Sequence, residues 1–160
     1  ASYAAVMPAF LARVGPNMAD RLLVPVDGVL VSQVADTFGA PRAGNRVHEG
    51  VDIFAPRGTV VRAAAPGFVY RIDAVSLGAV SATVVGDGGV RYLYSHFEAV
   101  PENLQEGQRV ETNTVIGYVG NSGNAATTPT HLHFGVYLGD EDDLCAWRAI
   151  DPLPLLVDRE

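Results

Sequence analysis

The sequence predicts a mainly β protein built on an antiparallel sheet or sandwich, and three observations carry that reading. Short runs of valine, aromatic and other strand-forming residues recur from Val24 onward, at 29–34, 60–63, 67–72, 80–85, 90–94, 115–119 and 131–138. Glycine-rich connections separate them, and Gly86-Asp87-Gly88-Gly89 has the composition of a hairpin turn. His131-Leu132-His133-Phe134 alternates polar with apolar, so a strand there sends both imidazoles to one face and Leu132 and Phe134 to the other. Many short strands joined in this way argue against a βαβ architecture.

In chain order, residues 3–14 are rich in helix formers, although Pro8 would break a single helix unless one begins there, and Gly15-Pro16 ends the stretch. One short helix packing on the domain is expected, with a linker or prodomain remnant as the alternative. Gly58-x-x-Val61 leading to Gly67-Phe68-Val69 is echoed by Gly107-x-x-Val110 leading to Gly117-Tyr118-Val119. Such paired turns resemble a hybrid of barrel and sandwich. The acidic run 140–143, followed by Leu144, Trp147 and Ile150 at a spacing of three, predicts a short helix with carboxylates in its first turn. A calcium site is the other reading of that run, but it lacks EF-hand spacing and a loop glycine. Asp151-Pro152-Leu153-Pro154 then stops the helix.

At 160 residues the chain is one domain by default and needs no covalent staple. Its single cysteine, Cys145, cannot form an internal disulfide and is expected to be buried or half-buried, which fits either redox compartment. The net charge is −7 and every lysine-or-arginine position is arginine, a balance that makes the chain a poor candidate for nucleic acid or anionic membrane surfaces, so no nucleic acid partner is expected. Chemistry that needs a lysine amine is excluded as well. No apolar run approaches the length of a membrane span, and no signal-like pattern opens the chain. Residues 1–24 are taken as a helical extension and 25–160 as the functional domain, and a monomer is expected.

The chemistry-bearing residues gather in two short segments. His48 and Asp52 stand four apart in His48-Glu49-Gly50-Val51-Asp52, where Gly50 disfavours a helix interior. With His131 and His133 they offer three imidazoles and a carboxylate, a donor set suited to zinc. A lone histidine is usually a surface or hydrogen-bonded core residue. This chain has only four, three of them in these segments and the fourth, His96, closing the strand-like Tyr92-Leu93-Tyr94-Ser95. That concentration favours a metal or catalytic site over scattered structural histidines. The His-Glu-x-x-His zinc helix is a poor template here, because Asp52 holds its fifth position and Glu49 in an extended segment points away from its neighbours.

The pattern resembles the lysostaphin/LytM-type zinc metalloendopeptidases. The likeness lies in Thr37-Phe38-Gly39, His48-Glu49-Gly50-Val51-Asp52-Ile53 followed by Ala55-Pro56, His96 after a tyrosine-rich strand, Gly117 through Gly123, and His131-Leu132-His133-Phe134. It covers about residues 25 to 157. The resemblance implies a barrel-sandwich hybrid of the duplicated-hybrid-motif kind with short peripheral helices. It implies one zinc ion per chain held by His48, Asp52 and His133, with His96 and His131 left for proton transfer. It implies hydrolysis of peptide cross-links in bacterial peptidoglycan through a zinc-activated water, in an extracytoplasmic setting reached by a signal segment these residues do not include.

A groove for an extended peptide is expected between the loops 39–47, 97–107 and 120–130, and residues 125–130 are longer than the tight turn expected there. Arg42 and Arg46 stand just ahead of His48, where they could hold a substrate carboxylate or the oxyanion, or simply be solvated loop residues. Two other functions compete. A catalytically silent peptidoglycan-binding regulator of other wall hydrolases would share the fold, but such relatives typically lack ligands that are all present here. A carrier domain fails for biotin or lipoyl attachment without lysine, and a phosphohistidine carrier has no need of Asp52.

Overall fold

The computed structural model describes residues 3–74, 79–123, 127–140 and 142–159. One helix, α1 (Tyr3–Leu11), precedes the strands β1 (Leu22–Leu23), β2 (Val51–Phe54), β3 (Val60–Arg62), β4 (Gly67–Asp73), β5 (Val80–Gly86) and β6 (Arg91–Ala99). The strands β7 (Arg109–Val110), β8 (Val115–Val119), β9 (His131–Gly139), β10 (Trp147–Ile150) and β11 (Leu156–Val157) follow. The main sheet is antiparallel and runs β10-β9-β6-β5-β4-β7. Among the described residues its outer strands β10 and β7 do not pair, so it does not close into a barrel.

β9 is the strand that positions the site. Its first half pairs with β2, setting Asp52 opposite His133 and Phe54 opposite His131. Its second half pairs with β10, and β6 lies along its other edge with Ser95 opposite His133. Leu132, Phe134 and Val136 point to the far side, where they meet Val51, Ile53, Tyr92 and Tyr94 with no exposed surface. Burying each Leu or Phe contributes about 1.5–3 kcal/mol. Slipping β9 by one residue would put the imidazoles in the core and the apolar residues in water, so the same burial fixes the register of the site.

The sequence echo becomes a reciprocal exchange of hairpin arms. β3 pairs with β8 and β4 with β7, and Val61 faces Gly117 as Val110 faces Gly67. Gly58 N–H donates to Val119 O at 2.8 Å, and Gly107 N–H donates to Val69 O at 2.6 Å. Both glycines have positive φ, +87° and +90°, which explains their place in the repeated pattern.

Away from this sheet, α1 packs on β4, with Tyr3 and Phe10 edge-on to the Tyr70 ring at 5.6 and 5.3 Å. The C-terminal β11 pairs in parallel with β1, and Arg159 donates to the carbonyls of Val24, Ala63 and Thr112.

Four local expectations are corrected. The run 29–34 is a short 3-10 turn at Val31–Gln33 rather than a strand. Asp158 and Gln33 side chains take the Val31 and Leu30 N–H groups, so the backbone of this run is satisfied by side chains and a local turn while Val34 still packs in the core. The expected helix after residue 140 is instead the strand β10. Asp140 and Asp143 accept the main-chain N–H groups two residues on, which is turn chemistry, and the second half of β9 offers an edge that Trp147–Ile150 fills. Helix α1 runs through Pro8 instead of starting there, because one missing hydrogen bond is outweighed by packing of Met7, Phe10 and Tyr3. Cys145 is exposed, since the turn that carries it lies on the surface.

Candidate metal centre

Asp52 N–H donates to Thr37 Oγ1 at 3.1 Å, not to β9. Asp52 and His133 are therefore a non-hydrogen-bonded cross-strand pair, the kind whose side chains stand closest. His48 enters from the loop before β2, pinned by its N–H to Ala40 O and by its carbonyl, which accepts Gly39 N–H. Gly50 lets the loop pass: a Cβ there would lie 2.5 Å from Phe134 O and 2.9 Å from the His133 ring.

Three donor atoms converge. His48 Nε2 is 2.9 Å from His133 Nδ1 and 3.2 Å from Asp52 Oδ1, and His133 Nδ1 is 3.6 Å from the same oxygen. Ligands held at the usual zinc distance in tetrahedral array lie about 3.3 Å apart. The triangle matches that spacing, its atoms are two imidazole nitrogens and a carboxylate oxygen, and the three residues could hold a metal ion. The two remaining histidines stand beside it. His131 Nε2 is 3.7 Å from Asp52 Oδ1, and the His96 ring centroid is 5.3 Å from that of His131 and 6.0 Å from that of His133.

Main-chain carbonyls set the tautomers of three of these rings. His48 Nδ1 lies 3.0 Å from Thr37 O, His96 Nδ1 2.7 Å from Ser122 O, and His131 Nδ1 2.8 Å from Pro129 O. A carbonyl only accepts, so each Nδ1 carries the proton and each neutral ring presents a bare Nε2. His96 is held for this in the left-handed region at φ +66°, where a non-glycine residue is strained.

Electrostatics favour the neutral form of His48 and His96. Burial pushes the pKa of His48 below its ordinary value, against the opposing pull of the Thr37 carbonyl and Asp52. Burial lowers His96 as well, with the Ser122 carbonyl opposing. For Asp52 burial acts upward, but the hydrogen bond from His133 and the nearby His48 and His131 outweigh it and hold the carboxyl below its usual range. Neutral imidazole and ionised carboxylate are the forms a metal needs.

All five residues singled out in the sequence thus meet at one place. Arg42 reaches its edge, with Nη2 3.9 Å from Asp52 Oδ2. Arg46 is exposed, and its carbonyl accepts the Arg42 N–H at 2.8 Å. Glu49 is exposed, its carbonyl accepting the Tyr137 hydroxyl at 3.5 Å. Residues 124–126 of the loop expected to be long lie outside the described residues. Sequence reasoning missed Thr37, Ser122 and Pro129 as orienting residues. Ser122 and Pro129 act only through carbonyl oxygens that every residue type carries, so no side-chain signal marks them, whereas Thr37 also uses its hydroxyl, whose partner 15 residues on no local pattern reveals.

An antiparallel sheet carrying a His-Asp-His cluster that could hold a metal ion, with two further imidazoles at its edge, is an arrangement suited to a metallopeptidase. The chain belongs to peptidase family M23, whose sequence profile matches residues 46–146, and within it to the lysostaphin/LytM type. It is 32% identical over 127 residues to the L-Ala--D-Glu endopeptidase of Bacillus subtilis, covering 75% of this chain and 38% of that one. It is 39% identical over 90 residues to the DD-carboxypeptidase/endopeptidase Mpg of Neisseria meningitidis, covering 56% of this chain and 20% of that one. The chain therefore spans well under half the length of these relatives. The catalytic domain of lysostaphin from Staphylococcus simulans superposes with a TM-score of 0.61 at 26% identity, over 76% of this chain and 89% of that domain. No helix among the described residues is long and apolar enough to cross a membrane.

Proposed function

We propose that this chain is a zinc-dependent endopeptidase that hydrolyses peptide cross-links of bacterial peptidoglycan, with residues 25–160 as its catalytic unit, acting outside the cytoplasm. The observation that carries the reading is the donor triangle of His48, Asp52 and His133 flanked by the bare Nε2 atoms of His131 and His96. One zinc ion, held by that triangle, would supply Lewis-acid polarisation of the scissile carbonyl and a more acidic attacking water. His131 Nε2 and His96 Nε2 take up a proton from the water and return it to the leaving amine. Asp52 keeps the centre negative enough to hold a dication. Arg42 lies where it can steady a substrate carboxylate or the developing oxyanion. The L-Ala--D-Glu endopeptidase and DD-carboxypeptidase/endopeptidase activities named for the relatives support the substrate class.

The test is mass spectrometry of peptidoglycan fragments released by the zinc-loaded chain with and without chelator. New amino and carboxyl termini that vanish with chelator are expected. Wall binding without cleavage, together with stimulation of a separate hydrolase, would favour the silent-regulator alternative instead.

A further inference from the structure

The carbonyls that face the Nδ1 atoms of His96 and His131 belong to Ser122 and Pro129, both in the connection between β8 and β9. The residue before each is tied by side-chain hydrogen bonds to one guanidinium. Arg57, in the turn between β2 and β3, donates from Nη2 to Asn121 Oδ1 at 2.9 Å. The other end of that amide, Asn121 Nδ2, donates to Thr128 O at 3.4 Å. Arg57 Nη1 meanwhile donates to the Glu98 carboxylate, two residues past His96 on β6. One chain of polar contacts therefore runs from Glu98 through Arg57 and Asn121 to Thr128, touching a near neighbour of His96, of Ser122 and of Pro129. His96 itself sits at φ +66°, a strained conformation that persists only where its surroundings impose it.

Resting on the endopeptidase reading, we propose that Arg57 is a positioning residue, whose guanidinium holds in place the two main-chain carbonyls that orient His96 and His131. Its side chain and that of Glu98 are 51% and 49% exposed, and an ion pair so open to water contributes little to stability. What the pair does supply is geometry. A planar guanidinium can donate to a carboxylate and an amide oxygen at once in fixed directions, so it joins segments that the sheet does not join. The ladder itself brings Gly120 to His131, with His131 N–H donating to Gly120 O at 3.0 Å, and Thr130 Oγ1 donates to Ala55 O at 2.7 Å. Ser122 has a second anchor, its Oγ accepting Val80 N–H at 2.9 Å, so His96 is backed from two sides.

The test compares the zinc-loaded wild type with Arg57→Ala and Arg57→Lys. Nitrogen-15 NMR of the imidazoles, above their ordinary pKa, should show His96 and His131 of the wild type each as a single Nδ1–H tautomer. In Arg57→Ala the His131 signals should move toward a mixture of tautomers, with a smaller change at His96. On peptidoglycan fragments kcat should fall about tenfold or more while KM stays within about twofold, because small displacements of a reacting group are costly and the substrate contacts are untouched. Lysine can face Glu98 but cannot fork to Asn121 as well, so Arg57→Lys should lose about as much as Arg57→Ala. Zinc affinity and the urea midpoint should hold in both variants. Unchanged His131 tautomers, full activity in Arg57→Lys, or a loss of activity that merely follows lost zinc or lost stability overturns the proposal. If the wild type cuts no wall fragment, the endopeptidase reading falls by itself, and the tautomer comparison still decides whether Arg57 positions the rings.

Discussion

Thr37 holds both ends of the His48–Asp52 pair: its carbonyl oxygen lies 3.0 Å from His48 Nδ1 and its hydroxyl accepts the Asp52 N–H at 3.1 Å. One residue outside the donor set therefore fixes a ligand's tautomer and a second ligand's backbone. Thr37→Val keeps the carbonyl and the shape but leaves the Asp52 N–H without its acceptor, so a tenfold to hundredfold loss of zinc affinity is expected, about the cost of removing such support elsewhere. Competition against a chromophoric chelator measures it, and unchanged affinity would show the hydroxyl to be dispensable.

Donor and proton-transfer roles separate by mutation. His133→Ala removes one corner of the triangle, and metal content after dialysis should fall sharply. His131→Ala leaves the triangle intact, so metal should be retained while hydrolysis drops by about a hundredfold or more. Loss of metal from His131→Ala equal to that from His133→Ala would contradict the division.

Much of this centre is legible in the sequence because it is carried by side-chain identity and by period. The alternation at 131–134 fixes which face is wet, and the rarity of histidine makes its clustering informative. The paired glycine turns are legible as well, since positive φ leaves a mark on composition. What escapes is set by the partner and not by the segment. Val29 to Val34 has strand composition but pairs with no strand among the described residues, and Leu144, Trp147 and Ile150 have a helical spacing overridden by the free edge of β9. The orienting carbonyls of Ser122 and Pro129 escape because any residue carries one.

His96 is held at φ +66°, and that strain separates stability from activity. Both His96→Ala and His96→Gly remove the imidazole and should abolish hydrolysis. Only alanine retains a Cβ in the left-handed region, at a cost of about 1–2 kcal/mol. Glycine's greater freedom in the unfolded chain returns part of that, so His96→Gly should be the more stable of the two by about 1 kcal/mol in urea unfolding. The reverse order would mean that the strand relaxes once the ring is gone.

Tyr92 links pH to the core under the site. Its ring has no exposed surface, its hydroxyl finds no hydrogen-bond partner among the described residues, and burial raises its pKa from 10.0 to about 12. A raised folded pKa means the neutral form is the folded one. Stability is complete below the unfolded value near 10 and is lost as pH climbs from there toward 12, by about 3 kcal/mol for two pKa units. Phenolate absorbance should therefore show Tyr92 ionising late, together with loss of structure, and the equally enclosed Tyr94, also shifted upward, should do the same. Tyr92→Phe removes an unpaired buried hydroxyl, so it should raise stability at neutral pH by about 1–2 kcal/mol and shrink the alkaline decline. Destabilisation at neutral pH would reveal a partner for that hydroxyl, and an unchanged alkaline decline would assign it to other groups.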